Sequence, residues 1–103
     1  MPRRIPFLHP GDELPPSSEA LEYPNGLLAG GGDLTPERLL AAYRRGIFPW
    51  YEEPQPVLWW TPDPRSVLLP DNFHISRSLR KTLRRDRFRL SVNRRFREVM
   101  LAC

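Results

Sequence analysis

Over its first 70 positions the chain breaks its apolar residues into short runs separated by prolines, and beyond them it turns to helical and alternating patterns. The clearest local signal opens at Thr35, whose hydroxyl can cap free helical amides. Pro36 suits the first helical position, and Glu37 favours the positive end of the helix dipole. Leu34 can staple to Leu39. Leu39, Leu40 and Tyr43 then share a face, Arg38, Arg44 and Arg45 point elsewhere, and Gly46 supplies a left-handed stop. This predicted helix ends beside Trp50, which brings Tyr43 within reach of the tryptophan-bearing stretch. Val57–Trp60 and Ser66–Leu69 are apolar runs bounded by prolines, as expected of strands at a sheet margin. Residues 1–24 show little periodicity and read as an extended, Pro-rich opening laid over the rest of the molecule or partly disordered. Asn25-Gly26 and Gly30-Gly31-Gly32-Asp33 are turn signals on either side of Leu27-Leu28-Ala29. The triple glycine lacks the Lys-Ser/Thr of a phosphate-binding loop and the spacing of a dinucleotide fingerprint, so it is expected to be a flexible turn.

After Pro70 the pattern changes. Ser76 can cap a second helix with Leu79 and Leu83 as its buried stripe and Arg77, Arg80, Lys81, Arg84 and Arg85 around the remainder. Phe88, Leu90 and Val92 alternate with Arg89, Ser91 and Asn93, the period of a half-buried strand. Asn93 is expected to cap a third helix carrying Phe96, Val99, Met100 and Cys103 on one face. No glycine, proline or polar cap comes after it, so the expectation is a fragment of a longer protein whose second domain has begun, in the order β, α, β, α, without closing a sheet. The fold class expected is therefore α+β, with a domain over residues 1–62 and the start of another over 63–103.

Charge sharpens this division. Residues 74–103 carry ten Lys/Arg against two acids, whereas residues 1–73 carry six basic and ten acidic side chains. A positive field gathered in one segment steers phosphates, so a polyanionic partner is one reading and a solvated arginine face the other. All 13 prolines lie at or before Pro70, and all three tryptophans fall at Trp50, Trp59 and Trp60, where prolines alternate with aromatics. Such a stretch offers flat rings for stacking against a base or an adenosine, at roughly 1–3 kcal/mol per base. The alternative is that the indoles fill a small core poor in aliphatic residues.

The single cysteine, Cys103, excludes a disulfide within the chain and points to a reducing, cytoplasmic compartment. Met1-Pro2-Arg3-Arg4 is basic, but Pro6 and Pro10 interrupt the residues after it, so neither a signal peptide nor a membrane span is expected. His9, His74 and one cysteine have no metal-binding spacing.

Five ordered motifs carry a resemblance. Glu22-Tyr23-Pro24-Asn25-Gly26-Leu27-Leu28-Ala29, Gly31-Gly32-Asp33-Leu34-Thr35-Pro36, Tyr43-Arg44-Arg45-Gly46-Ile47-Phe48-Pro49-Trp50, Leu58-Trp59-Trp60-Thr61-Pro62-Asp63-Pro64-Arg65 and His74-Ile75-Ser76-Arg77-Ser78-Leu79-Arg80-Lys81 together resemble the N-terminal part of leucyl/phenylalanyl-tRNA protein transferases. The resemblance runs from about Glu22 to the end. It implies transfer of Leu or Phe from Leu-tRNA or Phe-tRNA to proteins with an N-terminal Arg or Lys, marking them for degradation. No metal, ATP or other cofactor is implied, and the protein is expected to be a monomer without membrane attachment. It also implies a small N-terminal domain followed by the opening elements of a larger GNAT-like acyltransferase domain. By the same resemblance Trp50 would pack against the terminal adenosine, with Tyr43 shaping the same wall, and Arg77, Lys81, Arg84 and Arg85 would hold tRNA phosphates, with Arg80 adding charge beside them.

Other residues are expected to be structural. Trp59 and Trp60 read as a core and hinge pair, because adjacent strand residues point to opposite faces. Asp63, between two prolines, reads as a turn residue, and Arg94, Arg95 and Arg97 as a solvated face. The resemblance further implies that the catalytic residues, including the acid near the acceptor amine, lie beyond Cys103 with most of the pocket that selects Leu or Phe, so these 103 residues alone are expected to be inactive. The competing reading is a non-catalytic RNA-binding module built on aromatic stacking and the basic helix.

Overall fold

A computed structural model describes residues 4–103; the start of the basic opening, Met1–Arg3, lies outside the described residues. The chain is a mixed α+β protein whose two compact units divide between Ser66 and Val67.

The first unit is built on a four-stranded sheet. Its strands are Phe7–Leu8 (β1), Leu27–Gly31 (β2), Phe48–Pro49 (β3) and Leu58–Trp60 (β4), in the spatial order β1-β2-β4-β3. β1 runs parallel to β2, and the other pairs are antiparallel. The Pro-rich opening is thus part of the fold, contributing an edge strand together with Leu8 and Leu14 to the core. Its short strand has no periodicity to read because two residues cannot display one.

Two further expectations change. Leu58–Trp60 of the expected Val57–Trp60 run does form a strand, but β4 lies inside the sheet between β2 and β3; the margin falls to Phe48–Pro49, where a proline lacking an N–H costs least. The triple glycine is no flexible turn. Gly30 and Gly31 close the buried strand β2, and a Cβ on Gly31 (φ +78°) would lie 2.7 Å from the Leu8 carbonyl oxygen and from the Phe7 ring. Glycine is required there because β1 comes too close for any side chain. Asn25-Gly26 is the turn expected, with the Gly26 N–H donating to the Leu21 carbonyl at 2.8 Å.

One helix, Pro36–Arg44 (α1), packs against β3. Thr35 caps it through a hydroxyl that accepts from the Arg38 N–H at 3.3 Å, and Gly46 (φ +71°) ends it. Gly46 N–H donates to Tyr43 O and Ile47 N–H to Ala42 O, the paired bonds of a Schellman stop. The residue α1 buries is Ala42, with Leu39 half-buried against the core; Leu40 and Tyr43 face outward. A small residue is favoured where a helix lies close against a sheet. The core is completed by Leu28, Ala29, Ile47 and Trp59, with Trp59 fully buried and its indole N–H donating to Gly31 O at 2.8 Å.

The second unit contains helices Arg77–Arg84 (α2) and Phe96–Ala102 (α3), with a 3₁₀ turn at Pro70–Asn72. Ser76 caps α2 as expected, accepting from Leu79 N–H at 3.2 Å. Asn93 does not cap α3: its φ of +60° is left-handed, whereas a capping residue needs extended backbone, and α3 starts later behind Arg95. Ser66–Leu69 and Phe88–Val92 form no strand, because neither has a ladder partner among the described residues. With no sheet in this unit to pack on, Leu79 and Leu83 are exposed, contrary to the buried stripe expected, and Ile75 alone among its described residues is half-buried. No helix among the described residues is long and apolar enough to cross a membrane.

Candidate nucleic-acid interface

β3 and β4 form a hairpin whose connection turns at Glu52–Gln55, with Gln55 N–H donating to Glu52 O at 2.7 Å. Trp50 stands at the base of this loop, one residue beyond β3. Its N–H donates to Leu58 O at 2.9 Å, and its carbonyl accepts the Trp60 indole N–H at 2.8 Å. The backbone is therefore pinned on both sides while the side chain is 71% exposed. An exposed ring on a fixed backbone can stack with little loss of conformational entropy.

Adjacent residues of β4 divide their roles as strand alternation requires. Trp59 pairs with Pro49 and enters the core, whereas Trp60 pairs with Phe48 on the other face. Arg65 extends that face. Its guanidinium lies 5.9 Å from the Phe48 ring centroid, in cation–π range, and donates to Gly46 O at 2.8 Å and Thr61 Oγ1 at 3.3 Å.

Tyr43 is exposed near the C-terminal end of α1, and its carbonyl takes part in the Gly46 stop that leads into β3. Asp63 is exposed, with its N–H donating to Asn25 Oδ1 at 3.4 Å, in keeping with a turn role.

The opposite flank of α1 carries a groove of about 430 Å³ between the helix and Gly11–Leu14; neither Tyr43 nor Trp50 lines it. Two arginines hold its walls. Arg38 donates to Asp33 Oδ1 at 2.5 Å and to the Asp12 carbonyl, while Arg45 donates to Leu14 O at 3.1 Å and Pro15 O at 2.6 Å. The Arg38 hydrogen bond holds the Asp33 carboxyl below the ordinary aspartate range, against the opposing pull of desolvation. Sequence reasoning assigned Arg38, Arg45 and Arg65 no task. Their acceptors are mostly backbone carbonyls far along the chain, which leave no local pattern.

In the second unit Arg77, Lys81 and Arg84 fall at i, i+4 and i+7 on one face of α2, flanked by Arg80 and by Arg85 at the C-cap. All are exposed, and among the described residues the one ion pair is Arg38–Asp33, so this cluster is free to meet anions. Cations that carry no partner are what phosphate binding requires.

Residues 32–63 match the family model described as leucyl/phenylalanyl-tRNA protein transferase N-terminal domain, and residues 67–103 match that of leucyl/phenylalanyl-tRNA protein transferase. The chain is 62% identical over 91 residues to the leucyl/phenylalanyl-tRNA protein transferase of Pseudomonas aeruginosa (strain LESB58), covering 88% of this chain and 40% of that protein. Identity to the transferase of the same name in Aromatoleum aromaticum (strain DSM 19018 / LMG 30748 / EbN1) is 59% over 99 residues, 96% of this chain and 42% of that one. For that of Saccharophagus degradans (strain 2-40 / ATCC 43961 / DSM 17024) it is 51% over 104 residues, 100% and 42%. The chain spans about 40% of the length of these curated relatives.

Proposed function

This chain belongs to the leucyl/phenylalanyl-tRNA protein transferase family, and from that membership we propose that its protein moves Leu or Phe from aminoacyl-tRNA onto the N-terminal Arg or Lys of acceptor proteins, marking them for degradation in the cytoplasm. The acceptor α-amine attacks the carbonyl carbon of the aminoacyl ester. A C–N bond forms, the ester C–O bond breaks, the amine gives up a proton, and the tRNA leaves with its terminal hydroxyl restored. The ester supplies the driving force, so the protein's task reduces to holding two reactants in line and receiving that proton.

Trp50 stacks on the terminal adenosine and Tyr43 shapes the neighbouring wall. Arg77, Lys81, Arg84 and Arg85 neutralise backbone phosphates of the same RNA. The observation that carries this reading is Trp50 itself: an indole pinned through both backbone polar groups yet open to solvent, in a segment matched to the family. The match covers 40% of the Pseudomonas aeruginosa relative, and to sequence beyond Cys103 we assign the acid that receives the amine and most of the Leu/Phe pocket. Residues 67–103 are then the opening elements of the GNAT-like domain.

The test is to supply the full natural protein with Leu-tRNA and a peptide beginning with Arg, and to look by mass spectrometry for a new leucyl–arginine amide. Formation of that bond is expected. RNA binding with no amide would favour a non-catalytic binding module instead.

A further inference from the structure

We infer that Trp60 and Arg65 are positioning residues that hold the Gly46–Trp50 segment in one conformation, so that Trp50 is presented to its ligand already ordered. This rests on the assignment of Trp50 to the terminal adenosine. The segment leaves the helix stop at Gly46, runs through β3 and ends at the loop, and a two-residue strand cannot by itself fix either end. At the loop end the Trp60 indole N–H reaches the Trp50 carbonyl at 2.8 Å, holding the one backbone acceptor of Trp50 that the β3–β4 ladder leaves over. At the helix end the Arg65 guanidinium donates to Gly46 O at 2.8 Å and lies across the Phe48 ring. Between them Phe48 and Trp60 face each other across the ladder.

Arg65 and Trp60 therefore brace one short segment from the same neighbouring stretch of chain. Gly46 fits this role twice: its φ of +71° disfavours a side chain, and a Cβ there would stand 3.1 Å from the Arg65 guanidinium nitrogen. Only the indole N–H of Trp60 is used in its bond, and a single Arg65 nitrogen, Nη2, serves both Gly46 O and Thr61 Oγ1 while the planar guanidinium lies over the Phe48 ring, a face that a lysine ammonium does not offer.

The test compares the full natural protein with three altered forms: Trp60→Phe, Trp60 replaced by its benzothiophene isostere, which keeps the shape and loses the N–H, and Arg65→Lys. Backbone order parameters at Trp50 and Tyr51 are measured by NMR relaxation in the free protein. Affinity is measured for a non-hydrolysable leucyl-adenosine. Trp50 and Tyr51 are expected to be rigid in the parent, near about 0.85, and to fall toward about 0.6 in all three forms while Trp59 stays unchanged. Affinity is expected to weaken by about threefold to tenfold, the worth of one hydrogen bond. The isostere keeps the test decisive should Trp60→Phe fail to fold. Unchanged order at Trp50 and Tyr51 in the isosteric form would overturn the inference. If the parent does not bind leucyl-adenosine, the adenosine assignment falls, and the order parameters still decide whether Trp60 and Arg65 position the segment.

Discussion

Asp33 receives the Arg38 guanidinium at 2.5 Å, and its folded-state pKa is lowered as a result. A carboxyl whose pKa is lower folded than unfolded stabilises the fold fully above its unfolded value of about 3.9, and that contribution drains away as pH falls through the lowered value. Asp33→Asn should therefore reduce the urea midpoint at neutral pH, and the difference from the parent should vanish once pH is below both values; an equal loss at both pH extremes would contradict it. Trp50 calls for a different measurement. Its side chain is exposed, so Trp50→Ala should move unfolding stability by no more than about 0.5 kcal/mol. Binding of leucyl-adenosine should weaken by about 1–3 kcal/mol, read by calorimetry. The alternation of strand residues was enough to separate Trp59 from Trp60 in the sequence. What it could not convey was that the Trp60 indole turns back to the Trp50 carbonyl, since that hydrogen bond depends on the register of the β3–β4 hairpin.

Elements whose signals are local were legible, and those that depend on a distant partner were not. Thr35, Pro36 and Gly46 announce α1, and Ser76 announces α2, because caps act within a few residues. The glycines of β2 misled because a residue free to take positive φ serves equally in a turn and in a strand pressed against its neighbour. Gly31→Ala tests the latter role. Left-handed backbone costs a non-glycine residue roughly 1–2 kcal/mol, the clash with Leu8 O and Phe7 adds to it, and a denaturant midpoint unchanged from the parent would contradict the close approach. For α2 the prediction is electrostatic. Replacing Arg84 and Arg85 together by Ala should flatten the fall of log affinity for tRNA with log salt, making its negative slope shallower by about 2, one for each phosphate the helix no longer neutralises. Trp50→Ala should leave that slope alone.

Across the whole chain, acidity gathers before residue 74 and basicity after it, and five motifs in order were enough to indicate the family. The alternation over Phe88–Val92 predicted a strand, but a strand is a relation between two segments, and no partner pairs with this one among the described residues. The same dependence on partners explains the exposure of Leu79 and Leu83. What unites the molecule is the claim that its pinned indole and its cationic helix serve one charged tRNA, the first at the aminoacyl end and the second along the phosphates. Photo-crosslinking Leu-tRNA to the full natural protein, with adducts mapped by mass spectrometry, measures this most directly. Terminal-adenosine adducts are expected at Trp50, and nucleotide adducts from elsewhere in the same RNA along Arg77–Arg85; adducts at neither surface would contradict the claim.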